Sequence, residues 1–148
     1  MDGVQMELVS PRTLRLVWKV YRVAQPGRKR PVVLVVEDEL LIRMDAVDML
    51  SRAGFDVIEA VNADEAIMIL ESGSTIDVVF TDIQMPGSMD GLKLAAAVRK
   101  RWPPIKIVAT SGVIKVGEDD LPAGSRFLPK PYSPSQIVGA LRELTGQV

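Results

Sequence analysis

Five short runs of almost purely apolar residues, separated by longer segments of mixed polarity, leave this chain few folds to choose from. Pro31 to Val36 is a continuous β-branched run, as a strand buried on both faces requires. Leu40 to Ala53 spaces Leu40, Met44, Val47 and Leu50 at helical intervals, and Gly54 can close that helix. Phe55 to Ala60 reads as a second strand. Asn62 then reads as an N-cap with Glu65 in capping-box position, and that helix ends near Ser72 and Gly73. Ile76 to Phe80 is a third strand leading into Thr81 and Asp82, and residues 83–89 form a loop. Asp90 opens a helix that Pro103 and Pro104 stop after about Trp102. Ile105 to Ser111 is a fourth strand, and residues 112–124 are weakly helical, broken by Gly117 and Pro122. Arg126 to Pro129 is a short fifth strand, and Ser133, Pro134 and Gln136 open a last helix that runs to about Thr145.

Strands alternating with helices predict an α/β domain: a doubly wound, five-stranded parallel sheet with helices on both faces and right-handed crossovers. The expected strand order is flavodoxin-like, 2-1-3-4-5. Such sheets bind ligands beyond the carboxyl ends of their strands where the order reverses, here between the first and third strands. The domain is expected over residues 31–148, preceded by a basic extension or linker over residues 1–30.

Composition then removes whole classes of chemistry. The 148 residues include no cysteine and no histidine. That excludes a disulfide scaffold, a thiolate or imidazole metal site, a cysteine nucleophile and a Ser-His-Asp triad. What remains is carboxylates, hydroxyls, lysine, backbone groups and a hard cation. The net charge of −1 conceals an asymmetry. Residues 1–30 carry seven Lys/Arg against two Asp/Glu, leaving eleven against seventeen in the remainder. The main body is therefore acidic and a poor nucleic-acid binder. No apolar stretch is long enough to span a bilayer, and Arg15, Lys19 and Arg22 interrupt the one that resembles a signal segment, so a cytoplasmic location is expected.

The chemistry-bearing residues follow the strands. Glu37, Asp38 and Glu39 follow the first, Asp82 the third, Thr110, Ser111 and Gly112 the fourth, and Lys130 with Pro131 the fifth. Each alone has an ordinary structural use, as a helix N-terminal acid, a turn residue, a local hydrogen-bonder or a solvated charge. Together they converge on one rim of the expected sheet. Carboxylates sharing a site raise one another's pKa or take up a cation, and an oxygen-only ligand set favours Mg²⁺ or Mn²⁺. With that charge neutralised, Asp82 is placed to attack phosphorus, while Lys130 and the Ser111 hydroxyl face the phosphoryl oxygens.

Those residues stand in recognisable blocks. Val33 to Glu39, Val78 to Pro86, Met89 to Gly91, Thr110 to Gly112 and Phe127 to Tyr132 resemble, in order and spacing, the signature blocks of response-regulator receiver domains of two-component systems. The likeness covers about residues 31–146. It implies that Asp82 is the phosphoacceptor and Lys130 the family's lysine, its bond to Pro131 cis. Glu37 and Asp38 correspond to the acidic pair that holds Mg²⁺, Asp38 most directly and Glu37 through water, and Gln84 to the backbone carbonyl that joins them. Ser111 corresponds to the switch hydroxyl, Gly112 to the small residue beside it, Phe127 to the aromatic that turns inward when Ser111 moves, and Thr110 lies one place before the switch.

The implied activity is a signalling step rather than enzymatic turnover. A sensor histidine kinase or histidine phosphotransfer protein phosphorylates Asp82, and a downstream protein target of unknown identity reads the shifted conformation. A homodimer is compatible with the family, whereas direct nucleic-acid contact and a membrane span are not expected. Two departures stand out. The fourth helical segment is broken by Gly117, Pro122 and Gly124, which puts the usual output surface in doubt, and no effector domain follows the last helix.

Residues 1–30 lie outside the likeness. Leu14, Val17, Trp18 and Tyr21 share a helical face, although the alternation from Leu14 to Val20 suits a strand nearly as well, and an untethered tail or an upstream start codon is the simplest reading. The nearest rival function is a haloacid-dehalogenase-like Mg²⁺-dependent phosphatase. It needs an aspartate two places after the nucleophile as general acid, where this chain has Gln84. A nucleotide- or flavin-binding domain would need a glycine-rich loop after the first strand, and a structural pseudo-receiver would be expected to lack Asp82 or Lys130.

Overall fold

The computed structural model describes residues 30–85, 87, 89–112 and 118–147. The readings of residues 1–29 therefore lie outside the described residues, as does the first part of the fourth helical segment. No described helix is long and apolar enough to cross a membrane.

Five strands form one parallel sheet: β1 (Val32–Val36), β2 (Asp56–Ala60), β3 (Val78–Asp82), β4 (Lys106–Ser111) and β5 (Arg126–Pro129). Their order is β2-β1-β3-β4-β5, as expected. Four α-helices accompany them among the described residues: α1 (Leu40–Arg52), α2 (Ala63–Glu71), α3 (Gly91–Arg101) and α4 (Pro134–Leu144).

Two apolar layers clamp the sheet. On one face Leu34, Val36, Val79, Ile107 and Ala109 pack with Ala66 and Leu70 of α2 and Leu94, Ala95 and Val98 of α3. On the other, Val33, Val35, Val78, Phe80 and Val108 pack with Ala46 and Leu50 of α1 and Ile137 and Leu141 of α4. The period-2 alternation of side chains explains the division: neighbours along one strand supply opposite layers, so the buried body of the central strands is apolar at consecutive positions.

The helix ends follow their sequence signals. Asn62 Oδ1 accepts the Glu65 backbone N–H at 2.8 Å. The Glu65 carboxylate reaches back one residue further than a standard capping box, to the Val61 N–H. Asp90 Oδ1 caps α3 through the Lys93 N–H at 2.9 Å. Ser133 and Gln136 exchange both bonds of a capping box, with Pro134 at the first turn.

Two boundaries differ from the sequence reading. β3 begins at Val78, because Asp77 is turned to accept the Val32 N–H on its side chain at 2.8 Å. It continues through Thr81 and ends at Asp82, where the sequence reading also ended it, opposite Thr110. Between β4 and β5 the described chain forms only a 3₁₀ turn, Glu118–Asp120. There Leu121 is buried in the first apolar layer and Arg99 Nη2 donates to the Ala123 carbonyl at 2.7 Å. Gly124, at φ +85°, takes a conformation that no helix continues.

Candidate functional site at the carboxyl rim of the sheet

The parallel register carries the chemistry to one place. Val36 of β1 lies beside Thr81 of β3, so the next residue along each strand, Glu37 and Asp82, come side by side. Asp82 pairs with Thr110 of β4, and Ser111 pairs with Pro129 of β5, just before Lys130. The Lys130 N–H donates to the Ser111 carbonyl at 3.0 Å, tying the fifth strand end to the fourth. The Lys130–Pro131 bond is cis, as the resemblance implied.

Asp82 is 8% exposed and both its carboxylate oxygens are engaged. Oδ2 accepts from Lys130 Nζ at 2.8 Å, and Oδ1 accepts the backbone N–H of Gln84 at 3.0 Å. A helix N-terminus is pressed against this loop. The Gly91 N–H donates to the Ile83 carbonyl at 2.9 Å, and a Cβ on Gly91 would fall 2.3 Å from the Asp82 carbonyl oxygen, so only glycine fits.

Glu37 is buried and turns back to accept the Glu39 N–H at 3.0 Å, while Asp38 and Gln84 are exposed. Burial holds the Glu37 carboxyl above its ordinary pKa. The Glu39 N–H opposes that shift, hydrogen bonding to Asp38 and the charge of Asp82 add to it, and Lys130 opposes it. For Lys130 burial disfavours the charged ammonium, but the hydrogen bond and charge of Asp82, with Glu37 behind them, outweigh it and hold the pKa above its ordinary value. Ser111 is fully buried, Gly112 is exposed with open space where a side chain would stand, and Phe127 is half-buried against the first apolar layer.

Sequence reasoning missed two neighbours. Arg43 of α1 donates through Nη1 to the Glu37 carbonyl at 2.9 Å and through Nε to Glu59 at 3.1 Å, clamping the turn that carries the acids. Its only signal was a cation one helical turn beyond Glu39. Tyr132 packs edge-on against Phe80, with ring centroids 5.9 Å apart. Burial raises its hydroxyl pKa, Lys130 opposes the shift, and the charges of Glu37 and Asp82 add to it.

Among the described residues no three acidic side chains converge on a common point. The donor set nonetheless fits a hard cation. Glu37 and Asp82 are neighbouring buried carboxylates whose charges oppose one another, Asp38 adds a third from the adjoining turn, and every available ligand atom is oxygen.

Comparison with known proteins points to one family. Residues 33–142 match the response regulator receiver domain model. The sensor kinase CckA of Brucella abortus is 40% identical over 119 residues, which are 76% of this chain and 12% of the kinase. The next curated relatives are likewise longer, this chain spanning 54% of their length. A response regulator receiver protein of Sinorhizobium medicae superposes with a TM-score of 0.75 at 30% identity, covering 80% of this chain and 96% of that one. The response regulator TrrA of Thermotoga maritima, solved in complex with Mg²⁺ and BeF, superposes with a TM-score of 0.68 at 25% identity, covering 77% and 98%.

Proposed function

The chain belongs to the response regulator receiver domain family, and from that premise we propose that Asp82 accepts a phosphoryl group in a Mg²⁺-dependent reaction. The observation that carries the reading is the Asp82–Lys130 contact, 2.8 Å between a buried carboxylate and an ammonium held charged, with Glu37 beside them. In the step, an Asp82 carboxylate oxygen forms the new bond to phosphorus. The bond between phosphorus and the donor's nitrogen or oxygen breaks, and the leaving group keeps the electron pair. Lys130 then faces the phosphoryl oxygens it is already placed to reach, and Ser111, at the end of the neighbouring strand, is the hydroxyl that can follow them. Glu37, Asp38, Asp82 and the Gln84 carbonyl would hold the divalent cation, which supplies charge neutralisation at the transferring group. Mn²⁺ suits the same oxygen donors.

The phosphodonor is a sensor histidine kinase or a histidine phosphotransfer protein, and the result is a population shift read by a downstream protein. Ser111, Gly112 and Phe127 are the residues through which the shift travels. On the side the family usually reads, the described residues hold a turn at Glu118–Asp120 and an Arg99 bond to the Ala123 carbonyl. A haloacid-dehalogenase-like phosphatase finds no support in the family, and Gln84 offers no carboxyl as general acid.

Acetyl phosphate with Mg²⁺ tests the reading by intact mass. Wild-type protein should gain one phosphoryl group, and Asp82→Asn should gain none. An Asp82→Asn variant modified as fully as wild type would overturn the assignment.

A further inference from the structure

Directly behind Asp82 lies a small pocket that the phosphoryl-transfer reading does not use. Apolar Val35, Ile42, Ala46 and Phe80 line it together with Glu37, Thr81, Asp82, Thr110 and Tyr132. Its free volume of about 10 Å³ is room for one water and nothing larger. Thr110 is 3% exposed, and alternation along β4 puts it on the same face as Val108, toward this pocket. Among the described residues its Oγ1 has no hydrogen-bond partner.

An orphaned hydroxyl is an unusual thing to bury, because native interiors satisfy nearly all their polar groups with protein or with internal water. The two other buried hydroxyls of the rim are not orphans. Thr81 Oγ1 donates to the Asp82 carbonyl at 2.9 Å, and Ser111 is partnered. Thr110 therefore needs a partner that the described residues do not provide, and the space beside it has the volume of one. The remaining polar groups around that space are the carboxylates of Glu37 and Asp82 and the hydroxyl of Tyr132. A water there has two acceptors, each with lone pairs to spare, and hydroxyls besides, which is the two to four partners an internal water requires.

We propose that Thr110 and one internal water form a polar floor beneath the acid cluster, and that Thr110 is thereby a positioning residue for cation uptake. The inference rests on the receiver reading above. Glu37 and Asp82 line the same pocket as Thr110, so the floor would orient the two carboxylates that would hold the cation. Partners of this kind, one step removed from a metal, typically alter affinity or activity when lost.

The test compares Thr110→Val, which keeps the shape and removes the hydroxyl, with Thr110→Ser, which keeps the hydroxyl. The rate of phosphorylation by acetyl phosphate is measured against Mg²⁺ concentration. Thr110→Val should raise the half-saturating Mg²⁺ concentration by roughly threefold to tenfold, toward the lower end of outer-shell effects. Thr110→Ser should stay within about twofold of wild type, and Thr110→Val should melt no lower than wild type. Equal half-saturation in Thr110→Val, or a loss in Thr110→Ser as large as in Thr110→Val, would overturn the proposal.

Oxygen-17 water relaxation dispersion on the wild-type protein without cation gives a second measurement that needs no variant. A long-lived internal water supports the floor, and its absence overturns it. Failure of wild type to take a phosphoryl group under any Mg²⁺ concentration would instead overturn the reading on which this inference rests.

Discussion

In the body of the sheet, Val33, Leu34, Val35, Val78, Val79 and Val108 are buried and apolar. At the carboxyl ends of the same three strands Glu37, Thr81, Asp82, Thr110 and Ser111 are just as buried, and they are the only buried polar residues among those described. One residue of strand length thus separates a region where burial stabilises from one where it costs, since a desolvated polar group needs a partner merely to offset its burial. The division teaches that stability and chemistry are assigned to different stretches of the same strands. Substitutions should then sort by position along a strand rather than by depth.

The largest stability effect should come from the body. Leu34 is fully buried in β1, a strand with a neighbour on each side. Leu34→Ala should cost about 3 kcal/mol in chemical denaturation, the middle of the range for a large-to-small core change. At temperatures where the variant remains folded, it should still take up a phosphoryl group. A loss below about 1 kcal/mol would mean that the apolar body is not what holds the fold.

The same contrast explains what the sequence disclosed. Apolar runs betray buried parallel strands because both faces must be filled, so the five strands could be read from residue types, while their order came with the flavodoxin-like fold and Asp82, Ser111 and Lys130 from what stands at each strand end. The rest depended on tertiary detail. Between β4 and β5 the described residues hold a turn at Glu118–Asp120, with Leu121 buried in the first apolar layer and Arg99 bonded to the Ala123 carbonyl, contacts that no local pattern announces. Arg43 carries no motif. Its role arises from the way α1 packs over the turn at Glu37, which no local spacing reveals.

At the rim the sign should reverse. Glu37 has a folded-state pKa above the ordinary 4.5, chiefly through burial, with Asp38 and Asp82 adding to it. A carboxyl whose folded pKa is raised binds its proton more tightly in the native state than in the unfolded chain. The stability it contributes is present below the ordinary value and is lost as pH rises through the raised folded value. At neutral pH the ionised group is therefore a net cost in the cation-free protein. Glu37→Gln should stabilise that protein at pH 7, with chelator present, by about 1 kcal/mol, in keeping with relief of a functional site. The advantage should shrink as pH is lowered toward 4.5. The same variant should need more Mg²⁺ for phosphorylation. A destabilised Glu37→Gln at pH 7 would break the contrast between body and rim.

The smallest effect tests whether the rim has a scaffold of its own. Arg43 is 12% exposed at its side chain and joins the Glu37 carbonyl to Glu59, whose side chain is 49% exposed. The pair with Glu59 is too solvated to contribute much. What remains is one charge-assisted bond to a carbonyl, so Arg43→Ala should cost only about 0.5–1 kcal/mol in denaturation. Its consequence for the site should be out of proportion to that cost, because the bond fixes the backbone from which Glu37 and Asp38 project. Half-saturating Mg²⁺ should rise by about twofold or more, as for other groups that orient ligands. Glu59→Gln, which removes the exposed partner alone, should leave it unchanged. If the two variants shift Mg²⁺ dependence equally, the carbonyl bond is not the element that positions the acids, and the turn is held by the sheet itself.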